Sequence, residues 1–410
     1  MMQSPRVQFT DASDRFAADR PLRFEKPVGV RDFLPQSVRN LRAIEDRVRT
    51  LFRHWGYDEV ITPMLEYDDT VGAASATTDT KLFKLLDKRG RTLVLRPDMT
   101  TPIARVVSSV MREEVLPLRL SYAAHIFRAQ EKEAGRSAEF QQMGVELIGD
   151  ASPDGDAEMI ALAVETLKTG RVKPFKLTIG HMGFLNAFLR QQVKDDDSLE
   201  RLKNKLNDHD YVGYRQLVGQ LPVAHSAKQR LYDLLSWRGD GDTIVRLSRE
   251  AASTEERLAL EHLRKLWEAL EMYGVTPFMT IDFSLVGKMN YYTGVYFEGY
   301  ADRVGFPLLS GGRYDALLEQ FGRPAPAIGF QLKVDRLLEI SPPEREKLHH
   351  VLIVYDPSER REAIYMAAKW RRKNNRVTMQ VSTQLDQKTL EMYEQRYDEL
   401  IVLRGESDVF

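Results

Sequence analysis

The clearest amphipathic signal lies at residues 37–56, where Leu41, Ile44, Val48, Leu51 and Phe52 fall on one stripe before Gly56 ends the run. Apolar residues three and four apart share one helical face, so this spacing predicts a helix packed on a core. The next stretch, "YDEVITPML", reads as a strand, with Pro63 marking an edge or a bend because proline cannot donate to a ladder. A second helix is predicted near Thr101-Pro102, with proline in its first turn. Two long strand-like runs, 118–128 and 139–150, flank the charged turn "AQEKEAGRS" as a hairpin would.

Between about 184 and 274 the period becomes helical ("LNAFLRQQ", "LERLKNKL", "KQRLYDLLSW", "RLALEHLRKLWEALEMY"). Strand-like runs resume on its far side with "FMTIDFSL", "GVYFEGYA" and "FPLLSGG", and "APAIGFQLKVDRLLEI" passes from strand into helix. Strands grouped around helices, without strict alternation, predict an α+β fold with an antiparallel sheet flanked by helices and carrying a helical insertion. Residues 1–24 read as a polar N-terminal extension, 25–340 as the core, 341–350 ("SPPEREKLHH") as a linker, and 351–410 as a short α/β unit.

Composition narrows the function. Lys+Arg 59 against Asp+Glu 60 gives a net charge of −1, and this balance argues against nucleic acid as the main partner. The absence of cysteine excludes disulfides, thiol nucleophiles and Cys-ligated metals, and the eight histidines show no metal-ligand spacing. No apolar run approaches the ~20 residues of a membrane span and the first residues do not form a secretory signal, so a cytoplasmic protein is expected. Neither nucleotide-binding glycine motif is present.

Four stretches could carry chemistry. In "LRPDMTTPIAR", Asp98 can accept from an ammonium and Thr100 adds a hydroxyl, or the pair can simply cap a helix. In "FRAQEKEAGRSAEFQQMGVE", Arg128 and Arg136 suit anionic oxygens, and Gln142 and Glu146, four apart on a strand, share a face. "NYYTGVYFEG" reads as a strand on which Tyr291 and Tyr292 face opposite ways, so that only one enters a given pocket. "SGGRYD" brings a close-approach Gly-Gly next to Arg313, Tyr314 and Asp315.

In this order, the stretches resemble the catalytic core of class II aminoacyl-tRNA synthetases, specifically the histidyl branch. "GYDEVITPMLE" is similar to motif 1, which forms dimers; "FRAQEKEAGRSAEFQQMGVE" is similar to motif 2; "GFQLKVDRLL" is similar to motif 3, with Arg336 in the arginine's place. "NYYTG" and "GGRYD" match the two histidine-specific motifs, and the likeness runs from about Val28 to Ile340. The resemblance implies a histidine pocket: Asp98 (for the family's glutamate), Thr100 and Gln142 toward the α-amino group, Glu146 and Tyr292 toward the imidazole, and Tyr314 as an aromatic wall. Arg128 and Arg336 would be residual phosphate contacts.

The departures lie in the catalyst. Where the family reads Val-Arg-Gly-Leu-Asp-Tyr-Tyr, this chain reads Val286-Gly287-Lys288-Met289-Asn290-Tyr291-Tyr292, so the arginine that neutralises charge during adenylate formation is Gly287. Gln130 replaces a glutamate of motif 2, Lys333 replaces a glycine of motif 3, and the C-terminal unit is short for an anticodon-binding domain. This pattern resembles the regulatory subunits of ATP phosphoribosyltransferase, synthetase paralogues. That resemblance implies no catalytic residues, no cofactor and no metal. It implies L-histidine as effector, the short-form catalytic subunit as partner, a synthetase-like dimer and no tRNA. The alternative is a divergent active histidyl-tRNA synthetase.

Overall fold

The computed structural model describes residues 26–72, 74–75, 77–129, 137–287, 291–302, 304–342, 348–382 and 387–405. The N-terminal extension, Gln130, Arg136 and the Lys288-Met289-Asn290 segment lie outside the described residues. The chain divides into two compact units, Met1–Pro342 and Pro343–Phe410.

In the first unit, helix α1 (Pro35–His54) starts on a proline and buries Leu41, Ile44, Val48 and Phe52, the stripe expected from the spacing. The "YDEVITPML" run is not one strand. It splits into β1 (Asp58–Glu59), paired parallel with a later strand, and β2 (Leu65–Tyr67), which joins a small separate sheet with β3 (Lys84–Leu86) and β4 (Thr92–Leu95). Pro63 sits in the unpaired bend between them. Helix α2 (Thr100–Ser108) leads into the long hairpin β5 (Leu118–Phe127) and β6 (Glu139–Ile148), antiparallel along all ten residues of each strand. Helix α3 (Pro153–Thr169), N-capped by the Ser152 hydroxyl, leads to β7 (Phe175–His181).

The helical insertion follows: α4 (Met182–Gln192), α5 (Asp196–Asn207), α6 (Tyr211–Gln220), α7 (His225–Asp233), the short β8 (Arg238–Gly239), α8 (Gly241–Glu250) and α9 (Thr254–Met272). Its interior is built on Phe184, Phe188 and Trp237, with Trp237 meeting the two phenylalanines edge to face at 6.4 and 5.0 Å while these stack on each other at 6.2 Å. The chain returns through β9 (Met279–Asp282), β10 (Val295–Ala301), β11 (Leu309–Arg313), β12 (Ala327–Lys333) and α10 (Val334–Ile340).

Together these strands form a nine-stranded sheet in the order β1-β5-β6-β12-β11-β10-β7-β9-β8. It is antiparallel except at β1–β5 and at β7–β9, and the insertion is the crossover that a parallel β7–β9 pair requires. α3 packs across β10, β11 and β12 on one face, with α1 beside it over the main apolar core. α2 covers part of the other face through Met99, Ile103 and Val107 against Leu120, Tyr122 and Tyr314. Polar residues point to this second face where α2 stops short.

The second unit is a three-stranded parallel sheet with β13 (His350–Tyr355) between β14 (Arg376–Val381) and β15 (Glu399–Leu403). α11 (Arg360–Arg372) buries Ala363 and Ala367 on Val351 and Ile353, and α12 (Gln387–Glu394) precedes β15. Among the described residues, no helix is long and apolar enough to cross a membrane.

Candidate ligand-binding site

Four segments distant in sequence meet on the second face of the sheet: the turn before α2, the β5–β6 hairpin, the loop before β10 and the β11–β12 hairpin. They line a narrow, open cavity bounded by Asp98, Thr100, Tyr122, Arg128, Gln142, Glu146, Tyr291, Tyr292, Ser310, Tyr314, Gly329, Phe330 and Gln331. All six residues grouped from the sequence as a pocket, together with Arg128, are among them. Arg336 is not: its guanidinium packs 4.2 Å over the Phe306 ring and donates to the Pro307 carbonyl at 2.8 Å.

Glu146 forms the floor. The two-residue strand period carries it to the same face as Gln142, and it is 2% exposed. Its carboxylate accepts from the Thr100 hydroxyl at 2.8 Å and from the Tyr314 hydroxyl at 2.5 Å. Gly329 lies opposite it in the β6–β12 register, and a Cβ there would stand 1.7 Å from Glu146 Oε2. Only glycine leaves room for the acid. Burial pushes the Glu146 pKa up to about 8, with the negative charge of Asp98 adding to the effect and the two donated hydrogen bonds opposing it.

This proton has a consequence for stability. The folded chain holds it to about pH 8, whereas an ordinary glutamate releases it near 4.5, so between those values folding takes up a proton. Stability contributed by this group is therefore present below pH ~4.5 and is lost as pH rises toward 8, at no more than about 1.4 kcal/mol per pH unit. Thermal melts of wild type and Glu146→Gln across pH 5–8 are expected to show a steeper decline in wild type. Parallel curves would mean that Glu146 is ionised throughout.

Gln142 donates from Nε2 to the Tyr122 hydroxyl at 2.9 Å, while its Oε1 is buried without a partner among the described residues. Asp98 is 3% exposed; its Oδ1 accepts the Thr101 N–H at 2.8 Å at the start of α2, the capping contact that the sequence offered as one reading, and its Oδ2 accepts from the Ser75 hydroxyl at 2.6 Å. A carboxylate has lone pairs beyond these two bonds, so it can still receive a ligand donor. Arg128 donates from Nε to the Pro97 carbonyl at 2.7 Å and packs against Phe140, leaving one terminal nitrogen buried and without a partner among the described residues. The walls thus offer three acceptors and one permanent cation.

The tyrosine segment departs from expectation. Residues 291–294 are not strand, because ladder pairing of β10 with β7 and β11 begins at Val295–Tyr296. Freed from strand alternation, both Tyr291 and Tyr292 line the cavity, with ring centroids 5.0 Å apart, and Tyr291 also meets Tyr314 edge-on at 5.7 Å. Tyr292 rests on Tyr296 at 4.8 Å. Gly287 closes the back of this stack: a Cβ there would lie 2.6 Å from Tyr292 Cδ2 and 3.3 Å from Tyr296 Cδ2. The position has no room for any side chain while Tyr292 keeps its place.

Tyr122, Ser310 and Gln331 line the cavity without having been singled out from the sequence. Tyr122 pairs with Gly144, midway between Gln142 and Glu146. That register would have exposed it, but hairpin register depends on a turn whose length the pattern alone does not define.

Comparison with known proteins agrees with this geometry. The histidyl-tRNA synthetase family model matches residues 29–337. An ATP phosphoribosyltransferase regulatory subunit of Bacillus licheniformis is 46% identical over 357 residues, 87% of this chain and 91% of the relative. One from Geobacillus thermodenitrificans is 43% identical over 390 residues, 95% and 98% of the two chains. The solved structure of an ATP phosphoribosyltransferase regulatory subunit/histidyl-tRNA synthetase from Bacillus halodurans superposes with a TM-score of 0.87 at 42% identity, covering 95% of this chain and all of that one. Histidyl-tRNA synthetase from Nostoc shares the fold at 18% identity, with a TM-score of 0.78 over 91% of this chain and 89% of that one. The chain belongs to the ATP phosphoribosyltransferase regulatory subunit family, built on a class II, histidyl-tRNA synthetase-like core.

Proposed function

We propose that this chain is a non-catalytic sensor subunit. It holds L-histidine in the Glu146 pocket, assembles with the short-form catalytic subunit of ATP phosphoribosyltransferase, and supports both the first step of histidine biosynthesis and its feedback inhibition, in the cytoplasm and without tRNA. The observation that carries this reading is the cavity lined by Asp98, Gln142, Glu146 and Arg128 together with Gly287, where the synthetase pattern has arginine and where a Cβ would stand 2.6 Å from the Tyr292 ring. In this reading Asp98, Thr100 and Gln142 receive the α-amino group, Glu146 accepts an imidazole N–H, and the Tyr292 hydroxyl serves the other ring nitrogen. Arg128 takes the carboxylate. Residues 25–340 act as the sensor core, and 351–410 as a shortened remnant domain joined by the 341–350 linker.

Self-association as a synthetase-like dimer is supported by the exposed apolar side chains Ile61, Met64, Leu65, Phe83, Leu85 and Leu86, on and around β2 and β3. Inhibition requires histidine to bind the inhibited assembly more tightly than the active one, typically by about 1–3 kcal/mol.

The decisive experiment is calorimetric titration with L-histidine alongside a histidine-dependent pyrophosphate-exchange assay and reconstitution with the catalytic subunit. Binding without exchange, and phosphoribosyl transfer that needs this chain and is inhibited by histidine, are the expected results. Histidine-dependent exchange would instead favour the divergent-synthetase reading, which the family-model match to histidyl-tRNA synthetase keeps in view.

A further inference from the structure

Behind the pocket lies a buried charge cluster that ligand recognition does not use. Asp156, on α3, is fully buried. Its Oδ1 accepts from Arg313 Nε at 3.0 Å and from the terminal NH2 of Arg313 at 2.5 Å. Its Oδ2 lies 2.6 Å from Nε2 of His262, on the long insertion helix α9. Arg313 is itself 4% exposed and also donates to the Asp150 carbonyl at 2.9 Å and to Asp315 at 3.1 Å. One carboxylate therefore ties together the end of β11, α3 and the helical insertion.

Both ends of this cluster reach the pocket. Arg313 immediately precedes Tyr314, which donates to Glu146, and the Arg313 carbonyl accepts the Thr293 N–H at 2.8 Å, two residues beyond Tyr291. Asp315, bonded to Arg313, accepts the Ala327 N–H at 3.1 Å and so fixes the chain on the other side of Tyr314. From the insertion side, His181 accepts the Phe184 N–H at the start of α4 and meets His262 edge-on at 5.8 Å. Met182, the first residue of α4, donates to the Gly294 carbonyl at 2.8 Å, and its sulfur accepts the Gly287 N–H at 3.3 Å. The insertion is thus fastened to both ends of the Gly287–Gly294 loop and, through His262 and Asp156, to the strand end that presents Tyr314.

We propose that Arg313, Asp156 and His262 are positioning residues that make histidine affinity and the seating of the helical insertion mutually dependent. The inference rests on the sensor reading of the pocket. A purely structural ion cluster would lower stability when broken and leave the pocket's affinity alone. A positioning cluster changes the placement of Tyr314 and of the 291–294 loop, and so changes the affinity. Linkage then requires the converse: histidine in the pocket must steady α9.

The test uses the full-length chain and L-histidine as probe. His262→Leu leaves Asp156 Oδ2 without its partner, His262→Gln restores an N–H donor, and Arg313→Lys keeps the charge but loses the two-pronged contact. His262→Leu and Arg313→Lys are expected to weaken calorimetric binding about 5-fold or more, within the usual range of intersite coupling, with His262→Gln within about 2-fold of wild type. In wild type, histidine is expected to slow amide exchange across residues 258–266, and in His262→Leu this slowing is lost. Wild-type affinity in Arg313→Lys and in whichever His262 variants fold, even with lowered melting temperatures, overturns the inference and leaves the sensor intact. Absence of histidine binding by the wild-type chain overturns the sensor reading, and this inference with it.

Discussion

Glu146→Gln is expected to weaken L-histidine binding by about 5-fold below pH 8, where the wild-type acid is neutral and its hydrogen bond is worth roughly 0.5–1.5 kcal/mol, and by about 10- to 100-fold above pH 8, where it becomes a charged acceptor worth roughly 1.5–3 kcal/mol. Fold integrity is expected to survive. The Thr100 and Tyr314 hydroxyls donate to different carboxylate oxygens, at 2.8 and 2.5 Å; glutamine keeps an acceptor for one and offers its NH2 to the other once that hydroxyl turns, and it removes an acid whose ionisation burial opposes. Tyr292→Phe removes one hydroxyl from the wall while keeping the ring against Tyr296, so a loss of about 5-fold is expected, the equivalent of the ~1 kcal/mol of a neutral hydrogen bond. Titration calorimetry on both variants checks this. Undiminished affinity in both would place the histidine site elsewhere, at a subunit boundary for example.

Gly287→Arg, which restores the residue of the synthetase pattern, is expected to abolish histidine binding without creating histidine-dependent pyrophosphate exchange. Its Cβ alone would stand 2.6 Å from the Tyr292 ring, closer than any real contact, and Tyr292 is held from below by Tyr296. Either Tyr292 leaves the pocket or the backbone at 287 shifts. Overpacking of this kind costs about 1–3 kcal/mol of stability. Gly287→Ala separates the effects, since it carries the clash without the charge and is expected to weaken histidine binding too. Exchange activity in Gly287→Arg with affinity retained would show that the loop can make room and that the loss of one arginine is what silenced the enzyme.

The sequence made the long elements legible because their burial is periodic. α1 shows its stripe from Leu41 to Phe52, and the β5–β6 hairpin carries Gln142 and Glu146 to one face by strand period alone. It was less informative where pairing ends. The aromatic alternation of "NYYTGVYFEG" continues through a segment whose first residues have no ladder partners, so Tyr291 and Tyr292 looked opposed when both face the cavity. The proline in "YDEVITPML" marked a bend but not that its two sides join different sheets. Arg336 illustrates a different limit: a motif gives the position of a side chain but not its direction, and here it turns onto Phe306. Nothing local in the sequence could show that Gly287 faces a tyrosine ring. Only the packed fold brings them together.

The layout of the nine-stranded sheet also sets the order in which the pocket can be made. Asp98 lies in the turn before α2 and Gln142 and Glu146 on the locally paired β5–β6 hairpin, all early in the chain, whereas Tyr314, just after β11, and Gly329, on β12, come after the insertion. During synthesis at roughly 5–20 residues per second, the β5–β6 hairpin therefore waits on the order of ten seconds for β12, its neighbour in the sheet. Through that interval the β6 edge is unpaired and the Glu146 carboxyl is still in water. Closing β12 over it both seals the strand edge and dehydrates the acid. The nascent chain thus carries an exposed strand edge and a half-built pocket until its last core strand emerges, and the helical insertion sets how long that exposure lasts.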